Sequence, residues 1–116
     1  MPLVRITMSK KVDEEKKQEI MQDLTKKLSM ITGKPEKYMM MIFEPEKNIL
    51  FGSSNTPSAF LEIKSIGSLN PENTKKITEE FCVYFASNAG IDEERLYIEF
   101  EDVKPEMWGW NSKTFG

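Results

Sequence analysis

The sequence predicts an α/β fold in which two strand–helix–strand units form one four-stranded mixed sheet, with both helices on the same face. Three observations carry that prediction. Two stretches place apolar residues at helical spacing, Ile20-Leu24-Leu28-Ile31 and Ile77-Phe81-Tyr84-Phe85. Each stretch is flanked by short runs rich in β-branched, aromatic and other apolar residues. Each also ends in a glycine stop, Gly33 followed by Pro35 in the first and Gly90 in the second. Right-handed crossovers then lay both helices on one side of the sheet.

Taken in order, residues 3–8 read as the first strand, 13–31 as the first helix and 38–43 as the second strand. The run Tyr38-Met39-Met40-Met41-Ile42-Phe43 is apolar at every position, as expected of a strand covered on both faces. The third strand, 58–66, sends Leu61 and Ile63 to one side and Phe60 and Ile66 to the other. The second helix, 71–88, has Asn70 as N-cap and Pro71 in its first turn, where a missing N–H costs nothing. The last strand is 96–101. The halves share a plan but little sequence, and the 116 residues are expected to form a single domain. Two helices cover only one face of the sheet. Self-association is the simplest cover for the other, and a monomer with a ligand surface rich in the chain's eight methionines is the alternative.

Composition removes several functional classes. A net charge of −3, with lysines interleaved among glutamates as in Glu14-Glu15-Lys16-Lys17, gives no basic face for nucleic acid. The chain has no histidine, so histidine-based triads and metal sites are excluded, and its one cysteine, Cys82, forms no internal disulfide. No apolar run approaches a membrane span, and no basic segment followed by an apolar one opens the chain. The expectation is a cytoplasmic polypeptide, with any secretion using a route without a signal peptide.

The remaining signals are short motifs. Met1-Pro2 is a start that methionine aminopeptidase trims, and trimming frees a secondary amine fixed rigidly to the backbone. Thr32-Gly33-Lys34-Pro35, Phe51-Gly52-Ser53-Ser54, Ser65-Ile66-Gly67, Arg95-Leu96-Tyr97-Ile98 and the ending Trp108-Gly109-Trp110-Asn111 to Phe115 follow in order. Each is weak alone. Together, at these separations, they closely resemble the macrophage migration inhibitory factor family of the tautomerase superfamily, end to end. Trp110 and Thr32-Gly33-Lys34-Pro35 look more like that branch than like its D-dopachrome tautomerase relatives.

The resemblance implies a homotrimer whose sheets face inward as a barrel, with active sites at subunit interfaces. It also implies cofactor-free keto–enol tautomerisation of small aromatic keto acids such as phenylpyruvate, or of dopachrome-like substrates. Pro2 then stands as the base, because an apolar pocket and a nearby cation both disfavour the ammonium form. Lys34 supplies the cation and holds a substrate carboxylate. Read from the residues alone, Lys34 serves equally well as a solvated lysine complementing a helix dipole. Ile66 matches a position whose backbone N–H meets substrate, Tyr97 a tyrosine reaching in from a neighbouring subunit, and Tyr38 an aromatic at the rim. Ile66, Trp108, Trp110 and Phe115 form the apolar wall, although Trp110 and Phe115 also read as packing anchors.

Departures from the pattern carry expectations of their own. Glu99 stands where vertebrate members have asparagine, and its charge should weaken turnover of acidic substrates. Trp108 replaces a smaller aliphatic and should flatten the pocket. Ser58 and Leu61 replace the vertebrate Cys-x-x-Cys, so thiol-oxidoreductase chemistry has no basis here, and Cys82 reads as a small core residue. The vertebrate prototype is also an extracellular cytokine, which makes a receptor protein the second candidate partner. Of the paired loop charges tied to receptor binding, Glu46 is present while the basic position reads Val12, with Lys11 adjacent.

Overall fold

A computed structural model describes residues 1–116. Strands β1 (Leu3–Met8), β2 (Met40–Glu44), β3 (Ala59–Ser65) and β4 (Leu96–Asp102) alternate with helices α1 (Glu14–Thr32) and α2 (Pro71–Asn88). The sheet order is β2-β1-β3-β4, with β1 parallel to β2, antiparallel to β3, and β3 parallel to β4. Each βαβ unit therefore contributes one parallel pair, and the antiparallel β1–β3 seam joins the units into the mixed sheet that the sequence predicts.

Local chemistry sets the helix limits. Asp13 caps α1 by accepting from the Lys16 N–H at 2.8 Å, and Asn70 caps α2 by accepting from the Asn73 N–H at 2.8 Å. Gly33 ends α1 at φ 73, a conformation costly for any residue with a Cβ, while its N–H donates to Ser29 O at 2.9 Å. Ile20, Leu24 and Leu28 of α1 and Ile77, Phe81 and Phe85 of α2 are fully buried against Val4, Ile6, Met8, Leu61 and Ile63 of the sheet. Burying each such side chain stabilises the fold by about 1.5–3 kcal/mol before chain entropy is set against it. Tyr84 ties the helices together, its hydroxyl donating to Asp23 Oδ2 at 2.7 Å. Burial, then the bond to Asp23 and its charge, push this phenol well above its ordinary pKa.

Two expectations about the second strand are corrected. Tyr38 and Met39 are not strand residues. Pro35 is extended and opens a 3-10 turn, Glu36–Tyr38, closed by Tyr38 N–H to Pro35 O at 3.2 Å and Met39 N–H to Glu36 O at 3.0 Å, so pairing starts only at Met40. The uncovered sheet face is also less apolar than the methionine run suggests. Register places Ile42, Arg5, Glu62 and Glu99 side by side across its middle, with Met40, Leu3, Lys64 and Glu101 in the next row. β2 is greasy, but β1, β3 and β4 each set charges on this face. Ile66 falls one residue beyond β3 and belongs to the turn that follows.

The chain closes with a hairpin, β5 (Gly109–Trp110) and β6 (Lys113–Thr114), which sequence reading did not anticipate. Asn111 and Ser112 both take positive φ, 52 and 67, the signature of a two-residue type I′ turn. Ser112 stands where such turns favour glycine, which hides the signal.

Candidate functional site

Pro2 is buried at the start of β1, its carbonyl accepting from the Met40 N–H at 3.0 Å. Beside it lies a cavity of about 850 Å³, walled by Pro2 and Leu3 from β1, Tyr38 and Met40 from the turn and β2, and Trp108, Trp110 and Phe115 from the C-terminal segment. The C-terminal wall is internally braced. Phe115 N–H donates to both Pro105 O at 3.2 Å and Trp108 O at 3.1 Å, folding the tail back on itself. Trp110 and Phe115 are parallel with centroids 6.0 Å apart, and Tyr38 meets Trp110 edge-on at 6.0 Å. Tyr38 thus lines the cavity from the Glu36–Tyr38 turn, not from the strand on which sequence reading set it.

Lys34 does not line this cavity, but its charge acts on the amine at the chain start. The α1 stop throws the lysine forward: Ser29 Oγ donates to Lys34 O at 2.6 Å, and Lys34 N–H donates to Thr32 Oγ1 at 3.3 Å. Its ammonium then donates to Ile66 O at 2.7 Å, joining the end of α1 to the end of β3. The Ile66 turn is fixed in its turn by Gly67 N–H to Asp102 Oδ1 at 3.0 Å and Val103 N–H to Ser65 O at 2.8 Å. None of the backbone hydrogen bonds outside helices and strands uses the Ile66 N–H, which leaves it for another acceptor. The amine at the start of the chain, carried here by Met1, is pushed below its ordinary pKa, first by burial and then by the Lys34 charge.

A family model for macrophage migration inhibitory factor matches residues 1–116. The chain belongs to the macrophage migration inhibitory factor family. Among related sequences, the Xenopus tropicalis macrophage migration inhibitory factor is 35% identical over 96 residues, covering 83% of this chain and 84% of its own. A macrophage migration inhibitory factor homologue from Prochlorococcus marinus superposes with a TM-score of 0.93 at 37% identity, covering 98% of this chain and 99% of its own. The macrophage migration inhibitory factor-like protein of Entamoeba histolytica gives 0.92 at 32% identity, with 98% of each chain covered. Membership places the chain in the tautomerase superfamily.

Within this family member, one chain assembles only part of the predicted site. Pro2, Tyr38, Trp108, Trp110 and Phe115 share the cavity; Lys34 and Ile66 bond to each other and do not line it, although the Lys34 charge acts on the amine at the chain start. Tyr97 and Glu99 do not join them. Both lie on the uncovered face of β4, where Tyr97 is 61% exposed and packs on Phe51, and Glu99 pairs in register with Glu62. The cavity also draws in Met40, Lys64, Glu101 and Lys37, which sequence reading passed over. Lys64 carried a usable signal, since strand alternation puts it on the face opposite Ile63, one step before Ser65-Ile66. Lys37, 5.0 Å above the Tyr38 ring, had none, because only the turn brings it there. No three or more Asp, Glu or Cys side chains are grouped to hold a metal. No helix is long and apolar enough to cross a membrane.

Proposed function

We propose that this chain is a cofactor-independent keto–enol tautomerase for phenylpyruvate-like and dopachrome-like acids, working as a homotrimer with the Pro2 amine as general base once Met1 is removed. The observation that carries this reading is buried Pro2 in a largely apolar cavity walled by Tyr38, Trp108, Trp110 and Phe115, at a chain start whose amine is pushed down by burial and then by the Lys34 charge. Removing Met1 moves that amine one residue along, onto buried Pro2, so the desolvation that lowers its pKa deepens. A neutral amine at working pH takes the proton from the carbon beside the carbonyl. The C–H electrons pass into the enolate, whose oxygen takes up a proton in exchange. Lys34 spends one N–H on Ile66 O and keeps two for a substrate carboxylate, while the unused Ile66 N–H faces a developing negative oxygen.

What one chain leaves unfinished supports the trimer. Tyr97 is exposed on the uncovered sheet face with no part in its own chain's cavity, which is how a residue serving a neighbouring copy is placed. A barrel of inward-facing sheets also gives the charged row Arg5, Glu62 and Glu99 a wetted interior in place of a dry interface.

Intact mass of the natively expressed protein, followed by a phenylpyruvate tautomerase assay on the same sample, tests the reading. We expect a mass lacking Met1 and turnover that falls by about 10²–10⁴-fold in Pro2→Gly. Retained Met1 overturns it, since the proline nitrogen is then an amide. A second reading, a ligand for a receptor protein, draws on the loop charges: Glu46 and Lys11 are both exposed, while Val12, at the basic position, is half-buried. Surface-mediated binding of that kind survives Pro2→Gly.

A further inference from the structure

The segment Phe51-Gly52-Ser53-Ser54 lies outside the cavity and has no part in the chemistry above, yet it is held by both backbone and side-chain hydrogen bonds. Phe51 and Ser54 exchange backbone hydrogen bonds at 3.0 and 3.1 Å across a turn in which Gly52 and Ser53 both hold positive φ, 59 and 60. The Arg95 guanidinium then donates to three carbonyls of the loop, Phe51 O at 2.8 Å, Ser54 O at 3.1 Å and Thr56 O at 2.9 Å. It also lies 4.8 Å over the Phe51 ring. Neither ion pair of the chain includes Arg95, and all the hydrogen bonds of its side chain go to this loop. Phe51 also meets Tyr97, ring centroids 4.6 Å apart.

Arg95 thus stands two residues before Tyr97 and grips the one aromatic ring against which Tyr97 packs. We propose that Arg95 is a positioning residue for Tyr97: by locking the Phe51 turn it holds the exposed tyrosine ring in the orientation that a neighbouring copy's pocket requires. This rests on the tautomerase reading for its consequence, but not for its geometry. A planar fork bonded to three carbonyls fixes a loop in a way that a single ammonium cannot, so charge alone does not substitute.

The experiment uses Arg95→Lys in the full-length protein, with Phe51→Leu as a second variant should the first fold poorly. Phe51→Leu removes the ring that links Arg95 to Tyr97 and leaves the carbonyl bonds in place. With 3-fluorotyrosine incorporated at all three tyrosines, and Tyr97→Phe assigning the resonance, the Tyr97 fluorine signal should shift or broaden in both variants. In steady-state phenylpyruvate assays KM should rise about tenfold with kcat within about twofold, the pattern of lost substrate positioning. Arg95→Lys should add no further loss in a Tyr97→Ala background, because the two act through one ring. An unchanged Tyr97 signal, multiplicative losses in the double variant, or a smaller assembly by size exclusion each overturns the proposal. A shifted signal in a protein whose wild type has no Pro2-dependent turnover overturns the tautomerase reading and leaves the positioning standing.

Discussion

The two ends of the proposed site are built in opposite ways. At the Pro2 end a single chain supplies everything: a buried strand start, an ammonium anchored on Ile66 O, and an aromatic wall braced by its own backbone bonds. At the Tyr97 end the chain supplies a β4 ring packed against a clamped loop and a carboxylate on the same open sheet face, neither of them lining the chain's own cavity. The lesson is that a residue's absence from its own chain's pocket is informative when something rigid holds it out. Tyr97 is not floating; Phe51 and Arg95 hold it.

Breaking the self-contained end should do the most damage. Lys34→Ala removes the cation that disfavours the ammonium form of the terminal amine, so that amine's pKa rises. A higher pKa means that more base is needed to keep the amine neutral, and the acidic limb of the kcat/KM profile moves to higher pH. With the carboxylate anchor also gone, kcat/KM for phenylpyruvate should fall by about 10–100-fold. If the limb stays where it is while kcat/KM falls, Lys34 anchors substrate without tuning the base; if neither changes, the solvated-lysine reading holds.

That tuning was only partly legible in the sequence. The helix stripes, caps and glycine stops were readable because they depend on neighbours three or four residues away: Ile20, Leu24, Leu28 and Asn70 all fall where periodicity puts them. Lys34 meeting Ile66 was not readable, because it joins segments 32 positions apart; the family resemblance named both residues for the site without pairing them. Tyr38 was misplaced onto a strand because an apolar run masks the turn that Pro35 sets in motion. The β5–β6 hairpin was missed because Ser112 occupies a position where glycine would have announced it. Strand alternation could have shown the charged row across the uncovered face, but only once register had aligned Arg5, Glu62 and Glu99.

A middle-sized effect separates the two roles left open for Trp110. Its ring is parallel to Phe115 and edge-on to Tyr38, two aromatic contacts worth about 0.5–1.5 kcal/mol each beyond the area they bury. Trp110→Ala should therefore cost about 1–3 kcal/mol of local stability, read by amide exchange in the tail from Pro105 onward. If the ring also sandwiches an aryl substrate, KM for phenylpyruvate should rise about tenfold while KM for an alkyl keto acid moves little. Equal changes for both substrates would make Trp110 an anchor and nothing more.

The smallest effect, and the sharpest probe of the unfinished end, belongs to Glu99. Its carboxylate neighbours Glu62 in register on a face that also carries Arg5, and no ion pair neutralises it within the chain. If a neighbouring copy's pocket opens onto this face, Glu99→Gln removes a repulsive charge from the path of an anionic substrate. An exposed charge a few ångströms from the rim acts through a high dielectric, so kcat/KM for phenylpyruvate should rise only about two- to fivefold at low salt. The same change should vanish near 1 M salt, where the screening length shrinks to about 3 Å, and should be absent for a neutral keto ester throughout. A gain that ignores salt or appears equally with the ester would trace to shape, not charge. No gain at all would mean that Glu99 faces away from every pocket in the assembly, and that the β4 end reaches its neighbour through Tyr97 alone.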